Sequence, residues 1–207
     1  MYKLFGRIAS EALGLSDIGK IIDPKDFDKV EADDYVFHED DEKIFFLIKS
    51  KADEYCFTNR ALIHVDGKSA ISKKRMLRRY EYFLYPIRNV FLETAGTVDL
   101  DVEIKFTMGD VPFSIDVDKK QVEKLKDLYK ALFKISIITY ENKIGLDYAN
   151  QSIQYAVSSF SGLRAESKDV VQNFKDITDY SFEWLVTNRN KYVVEDFSDV
   201  FLKYINN

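Results

Sequence analysis

The 207-residue sequence is poor in the residues that usually build catalytic, metal or disulfide sites. Its one cysteine, Cys56, cannot form an internal disulfide, and its two histidines, His38 and His64, have no paired ligand spacing for zinc. There is no Walker loop, no Gly-x-Gly-x-x-Gly and no Gly-x-Ser-x-Gly motif. We therefore expect a protein that is not an enzyme and that binds no cofactor or metal.

Proline and glycine are also scarce, at 3 and 8 residues, which argues against a long flexible linker or a low-complexity tract. No run approaches the roughly 18 apolar residues of a membrane-spanning helix. Charged residues interrupt the N-terminal stretch at Lys3, Arg7 and Glu11, which argues against a signal peptide. Together with the single cysteine, these features lead us to expect a cytoplasmic protein. A hydrophobic content of 46% predicts a substantial folded core.

The charge is unevenly distributed along the chain, whose net charge is -5. Residues 23–42 contain ten acids and two lysines, whereas residues 69–89 contain six bases and one acid. Five of those bases fall within seven positions, which makes them the candidate site for an anion, a lipid or another subunit: Lys73, Lys74, Arg75, Arg78 and Arg79. The overall acidity argues against nucleic acid as a partner.

The segments before the first strand are interpreted from their polarity. Residues 2–13 have the spacing of an amphipathic helix, which would pack on its own domain or, alternatively, on a membrane surface or partner. Residues 23–42 predict a loop with a short helix. Their carboxylates lack the alternating spacing and central glycine of a calcium loop, so we interpret this segment as a solvated acidic linker.

Seven short segments with strand-like composition follow, separated by turn signals such as Asp66–Gly67. They cover residues 43–50, 53–58, 61–68, 72–83, 87–94, 97–106 and 111–117. In the sixth segment, apolar and charged residues alternate, which accounts for Asp99, Asp101 and Glu103 without any catalytic role. Seven strands with short connections predict an antiparallel sandwich or barrel.

From residue 118 onward the pattern is helical. One amphipathic helix, with Asp116 or Asp118 as its N-cap, would close the sheet. Beyond Ser136, two longer helices broken near Gly162 predict an antiparallel hairpin, followed by a short last helix. We interpret the aromatic stripes of these helices as core or interface and not as a cofactor site.

Several motifs occur in the same order as in the bacterial pleckstrin-homology (PH) domain family. "CFTNRALIHVDGK" at 56–68, "YPIRNVFLETAG" at 85–96, "DVEIKF" at 101–106 and the closing helix together resemble that family. The C-terminal helices resemble the YvbH-like extension that follows some members. The resemblance covers roughly residues 30–135 for the PH-like part and 136–207 for the extension.

The resemblance implies a strongly bent seven-stranded sheet capped by a helix, without known catalysis, and ring-like homo-oligomers. It also implies that Thr58, Asn59 and Arg60 form a structural turn, with Arg60 pairing with a carboxylate or capping backbone carbonyls. Eukaryotic phosphoinositide-binding PH domains carry their cations around the loop between the first two strands. The corresponding loop, residues 48–55, has only two lysines, alongside two acids. That ligand-binding role is therefore not transferred to this chain.

The basic stretch is open to three interpretations. Because alternate side chains of a strand share a face, its cations would lie on both faces, as in a charged edge strand that resists aggregation. They could instead pair with the acidic segment of the same or a neighbouring subunit, or bind anionic lipid or phosphate. Nearby aromatic residues that could stack single-stranded bases are Tyr80, Tyr82, Phe83 and Tyr85.

Taken together, the sequence predicts an α+β fold: a PH-like, seven-stranded antiparallel bent sheet or barrel capped by a C-terminal helix, plus a helical hairpin. We expect an N-terminal helix and linker at 1–29, the PH-like domain at 30–135 and the hairpin extension at 136–207. The expected function is a binding or scaffold module that self-assembles into a homo-oligomer, such as a ring, and engages a protein partner. The alternative is a peripheral membrane module that binds anionic lipid through residues 73–79. An enzyme would instead require convergent titratable groups in a concave site.

Overall fold

The structure is a computed structural model that describes residues 17–67, 75–94, 101–160 and 170–205. Its contacts divide the chain into two units. The sheet unit contains the residues up to Ile137 and those from Glu195 onward, and the hairpin unit contains Ile138–Val194.

Two antiparallel sheets form the sheet unit. The first has the order β1-β2-β3-β4-β5 and the second β6-β7-β8. The strands are β1 (Lys20–Ile21), β2 (Ile44–Lys49), β3 (Glu54–Thr58), β4 (Ala61–Gly67), β5 (Arg75–Glu81), β6 (Ile87–Glu93), β7 (Asp101–Met108) and β8 (Val111–Asp118). Among the strands of the described residues, the last seven correspond to the seven predicted segments, and the two-residue β1 was not predicted.

The two sheets are joined at Gly19, just before β1. Its N–H donates to Asp116 O over 2.8 Å, and its carbonyl accepts from Asp118 N over 3.0 Å. A Cβ at this position would lie 2.8 Å from the Asp116 oxygen, so the close approach of the two backbones requires glycine.

The interior of the sheet unit follows the predicted periodicities. In β7, alternate residues from Val102 to Met108 are buried. Helix α1 (Val122–Phe160) contributes buried leucines at 125, 128 and 132. A short 3-10 turn precedes it, and Asp118 caps that turn by accepting from Lys120 N, which confirms one of the two predicted N-caps.

The acidic segment differs from its interpretation as a linker. It forms three 3-10 helices, Pro24–Lys29, Glu31–Tyr35 and His38–Asp40. Three of its apolar residues are buried in a cluster with four residues of the five-stranded sheet: Val30, Ala32 and Val36 against Leu47, Cys56, Ile63 and Val65. The linker interpretation was wrong because this segment covers a face of the five-stranded sheet that would otherwise be exposed to solvent.

Asp66 and Gly67 do not form a tight turn, because they continue β4 and pair with Met76 and Arg75 of β5. The predicted N-terminal helix, residues 2–13, lies outside the described residues.

The last helix, α3 (Ser198–Tyr204), packs on the sheet unit. Phe197 N donates to Asn59 O over 2.8 Å, and Asn59 Nδ2 donates to Asp196 Oδ2 over 2.6 Å. Phe197 and Phe201 are buried beside the ring of Tyr82, at centroid distances of 5.7 and 6.2 Å. The turn after β3 therefore holds the C-terminal segment in place.

The hairpin unit contains the second part of α1 and helix α2 (Val170–Tyr192). The closing helix and the first hairpin helix, expected as two elements, are one continuous helix. The helices are antiparallel: Trp184 Nε1 donates to Ala149 O over 3.1 Å, while Gly145 lies against Tyr192. A Cβ at Gly145 would overlap the Tyr192 ring, so glycine permits this seam. Gly162 lies outside the described residues.

Candidate binding surfaces

The basic candidate residues lie on β5, which is the edge strand of the five-stranded sheet in the part of the chain that the structure describes. Arg75 and Arg78 are exposed, whereas Arg79 is half-buried. Lys73 and Lys74 lie outside the described residues. The structure therefore places three of the five predicted site residues, all on one strand.

Arg79 is held by a buried carboxylate of the acidic segment. Its Nη1 and Nη2 donate to Glu42 Oε2 and Oε1 over 3.1 and 2.9 Å, a bidentate pairing, and its Nε donates to Glu81 over 2.5 Å. Glu42 is 1% exposed and also accepts from Phe37 N and from the Thr58 hydroxyl. We call these residues the Glu42–Arg79 cluster.

The environment of this cluster keeps both partners charged. Burial by itself would raise the pKa of Glu42, but hydrogen bonds from Arg79, Thr58 and Phe37 N outweigh it and leave that pKa below its usual range. Burial likewise opposes the charge of Arg79, yet Glu42 and Glu81 raise its pKa above the usual value. Arg79 is therefore committed to internal partners and poorly placed to bind an external anion.

Arg75 is also engaged within the subunit. Its Nε lies 3.3 Å from Glu31 Oε2, and its Nη1 donates to Ala52 O over 2.8 Å. Arg78 has no ion pair among the described residues. Two of the three arginines of β5 thus pair with the acidic segment of their own subunit, one of the arrangements considered from the sequence.

The aromatic residues beside the cations do not form a base-stacking surface. Tyr80 and Tyr82 are buried, and Tyr82 donates its hydroxyl hydrogen to Thr58 O over 3.1 Å. Only Leu84 and Tyr85 among the large apolar residues of this turn are exposed. The geometry gives no support to nucleic-acid binding at this strand.

A groove of about 480 Å³ runs between the acidic segment and β5. Its apolar lining includes Val36, Ile63 and Leu77, and the Arg79 guanidinium lies 4.3 Å from the centre of the Phe37 ring. Three acids line it as well: Asp33, Asp34 and Glu39. With Arg79 already neutralised, this acid-rimmed groove would repel an anionic ligand and favour a cationic one.

The turn implied by the resemblance has the expected structural role. The Thr58 hydroxyl oxygen accepts from Ala61 N over 2.9 Å and from Arg60 N over 3.1 Å. Arg60 Nη2 donates to Asp40 O over 2.6 Å. These contacts confirm that Thr58, Asn59 and Arg60 form a structural turn and that Arg60 caps a backbone carbonyl.

Among the described residues of the sheet unit, the titratable side chains show no arrangement typical of catalysis. Cys56 is fully buried, and burial raises its thiol pKa well above the usual value, which makes a thiolate inaccessible. His64 stacks on Tyr55 at 4.5 Å, with its Nε2 3.3 Å from Asp53. In the described ranges, no group of three or more histidine, cysteine or carboxylate residues is arranged to hold a metal ion.

The hairpin unit exposes two sets of apolar residues. The set on α1 belongs to a stripe interpreted from the sequence as core or interface, whereas the set on α2, apart from Phe174, was not predicted. On α1, Tyr140, Tyr148 and Tyr155 are 66, 67 and 72% exposed. We call these the tyrosine face. On α2, five residues form the α2 apolar face, and all of them are exposed: Val171, Phe174, Phe182, Leu185 and Val186.

None of the helices that the structure describes is both long and apolar enough to cross a membrane.

A family model for the bacterial PH domain matches residues 12–136. The chain belongs to the bacterial PH domain family. A second model, described as a YvbH-like oligomerisation region, matches residues 147–207, which include α2 and much of the hairpin unit. Both parts of the resemblance noted from the sequence are confirmed, as is the α+β fold.

Two relatives cover most of this PH-family chain. The uncharacterized protein YvbH of Bacillus subtilis is 60% identical over 204 residues, which are 99% of this chain and 100% of that protein. A crystal structure of a PH-domain-containing protein from Exiguobacterium sibiricum is 56% identical, with a TM-score of 0.84, over 91% of this chain and 100% of the other. Both similarities therefore span most of this chain rather than one of its parts.

Proposed function

We propose that this chain is a non-enzymatic PH-like scaffold that assembles with copies of itself through its hairpin unit and, so assembled, engages a protein partner. The observation that carries the proposal is the exposure of the tyrosine face and the α2 apolar face on one small unit. Exposed apolar patches of this kind mark interaction surfaces in monomer structures. The match of residues 147–207 to an oligomerisation region supports the same assignment.

The absence of catalysis is part of this proposal. It is supported by the buried thiol of Cys56 and by the commitment of the Glu42–Arg79 cluster to internal hydrogen bonds. The acid-rimmed groove is the proposed binding site for the protein partner. Each subunit carries one such groove, which has an apolar lining and acidic residues beside it. Repetition of that groove in an oligomer would raise the avidity for any partner with repeated cationic segments.

We expect the wild-type protein to sediment at several times its chain mass of 24.2 kDa. A variant carrying both Tyr148→Glu and Phe182→Glu should sediment as a monomer, because burying two unpaired carboxylates in an apolar contact costs several kcal/mol. Analytical ultracentrifugation over a range of concentrations measures both masses.

The control for this experiment is Leu84→Glu, which puts the same charge on a residue of the sheet unit that is 61% exposed. This variant should keep the wild-type mass. A wild-type protein that remains monomeric at every concentration, or a double variant that retains the full mass, would contradict the proposal.

Binding of anionic lipid is the alternative function, and the described geometry does not favour it. Arg75 and Arg79 are paired with Glu31 and Glu42, so Arg78 is the described arginine of β5 best able to face a membrane. A basic residue near an anionic surface contributes about 1 kcal/mol. We therefore expect little flotation with anionic vesicles at physiological salt, and no difference between wild type and Arg78→Glu.

Vesicles of neutral lipid provide the baseline, and low salt provides the most permissive condition. Salt-sensitive flotation with anionic vesicles that Arg78→Glu abolishes would restore the lipid-binding alternative for this strand. Salt-sensitive flotation that Arg78→Glu leaves unchanged would direct attention to other basic residues of the chain.

A further inference from the structure

The two apolar faces of the hairpin unit differ in the charges that accompany them. At about 100° per residue, Glu141 and Asp147 fall on the same side of α1 as the tyrosine face. Both acids are exposed, and Asp147 also pairs with Lys143 over 3.1 Å at the border of this face. The tyrosine face is therefore bordered chiefly by negative charge.

The α2 apolar face carries the opposite charge. The same geometry places Lys175 and Arg189 in line with Val171, Phe182 and Val186. Both cations are exposed, and neither has an ion pair within the described ranges. Of the three acids in the middle of α2, Asp176 and Glu183 fall on other sides of the helix, and Asp179 borders the face beside Val186.

The seam between the two helices leaves both faces exposed, although the α2 apolar face adjoins it, because Phe174 falls on the side of α2 that carries Tyr192. The seam is made by Gly145 and Ala149 of α1 against Tyr192 and Trp184 of α2. On α1, Tyr140 falls about 180° from Ala149 and Tyr148 about 60° from Gly145, and all three tyrosines remain exposed beside the seam. Both faces thus remain available for a contact outside the hairpin unit.

We infer that the tyrosine face of one copy packs against the α2 apolar face of another copy, in a contact between two different surfaces. This inference rests on the self-association proposed above and names the surfaces that make it. Pairing unlike faces brings Glu141 and Asp147 towards Lys175 and Arg189. Pairing like faces would instead bring acids towards acids and cations towards cations, and such like-charge juxtaposition costs several kcal/mol.

The consequence is a directional assembly. Every copy carries one tyrosine face and one α2 apolar face, so each copy can bind one neighbour through each face. Such a heterologous contact repeats from copy to copy, in contrast to a two-fold contact, which is complete with two chains.

Mixing two single variants of the full-length chain tests the inference. Tyr148→Glu blocks the tyrosine face, and Phe182→Glu blocks the α2 apolar face. Each variant alone should sediment as a monomer, since every contact needs one intact face of each kind. An equimolar mixture should form a dimer of about twice 24.2 kDa, because the first variant supplies an intact α2 apolar face and the second an intact tyrosine face.

Other results overturn the inference in distinguishable ways. Variants that each form dimers alone, with no new species on mixing, would show that like faces pair. Variants that stay monomeric even when mixed would show that each contact needs both faces of both copies. Variants that both keep the wild-type mass would remove the hairpin unit from the interface, and the proposed function would fail with it.

A matched control accompanies the mixture. Tyr180→Glu changes an exposed aromatic residue of α2 that lies on the opposite side of the helix from Val171. This variant should keep the wild-type mass, and its loss of assembly would contradict the assignment of the face. Far-UV circular dichroism and the fluorescence of Trp184, the single tryptophan of the chain, report whether each variant keeps a folded hairpin unit.

Discussion

Replacing Glu42 with glutamine should lower the free energy of unfolding by about 3 kcal/mol, within the range for breaking a buried ion pair by removing one partner. The substitution keeps the size of the side chain but removes the charge that receives both terminal nitrogens of Arg79. It also leaves Phe37 N and the Thr58 hydroxyl with a weaker acceptor. Urea denaturation followed by circular dichroism measures the loss.

The matched control is Glu39→Gln, the same chemical change at an exposed position of the same segment. Surface substitutions of this kind usually change the free energy of unfolding by about 0.5 kcal/mol or less. Both proteins should be compared with wild type at one concentration, because unfolding of an oligomer depends on concentration. Equal, small losses in the two variants would show that the Glu42–Arg79 cluster contributes little to stability.

The same cluster predicts how stability depends on pH. The pKa of Glu42 is lowered by folding, so its contribution is complete above its ordinary value of 4.5 and is lost as pH falls through the lower pKa of the folded state. Below the ordinary value, the unfolded carboxyl binds a proton that the folded one does not. The free energy of unfolding of wild type should therefore fall more steeply with acid than that of Glu42→Gln.

The strands and helices were largely predictable because their signals are local. The alternation in β7 and the leucine spacing of α1 each depend on residues within a few positions of one another. The layer over the five-stranded sheet was missed although a signal existed. The run from Ala61 to Val65 is apolar at four of five positions without alternation, which is typical of a strand covered on both faces, and all five residues are buried. The acidic composition of residues 23–42 concealed the three apolar residues that provide the cover.

The candidate site was less predictable because its contacts are distant in sequence. The cations on both sides of β5 correctly indicated an edge strand with no fully buried face. However, the Arg79–Glu42 contact joins residues 37 positions apart, and no spacing rule specifies which acid a given arginine meets. For the hairpin, periodicity located the tyrosine stripe of α1 and the side of α2 that carries Trp184, but it did not single out the α2 apolar face. Which stripe forms the seam depends on the register of the two helices, which Gly145 and Tyr192 set in three dimensions.

Replacing Phe201 with alanine should lower the free energy of unfolding by about 4 kcal/mol, within the range for deleting a buried phenylalanine side chain. Its ring is 0% exposed, stacks on Phe45 at a centroid distance of 5.2 Å and contacts Tyr82. The loss would leave a cavity between α3 and the sheet. The control is Leu202→Ala, one position further along α3, where the leucine is 65% exposed and alanine should be nearly neutral.

The comparison of Phe201 with Leu202 decides whether α3 belongs to the cooperative core of the sheet unit. If it does, Phe201→Ala shifts the whole urea transition, because Asn59, Tyr82 and α3 unfold together. If α3 only docks on a finished core, the main transition stays in place, and the C-terminal segment becomes sensitive to protease under native conditions. The first result is expected, because Phe197 N and Asp196 are both hydrogen-bonded to Asn59, which also accepts from Lys43 N and so links α3 to the segment that leads into β2.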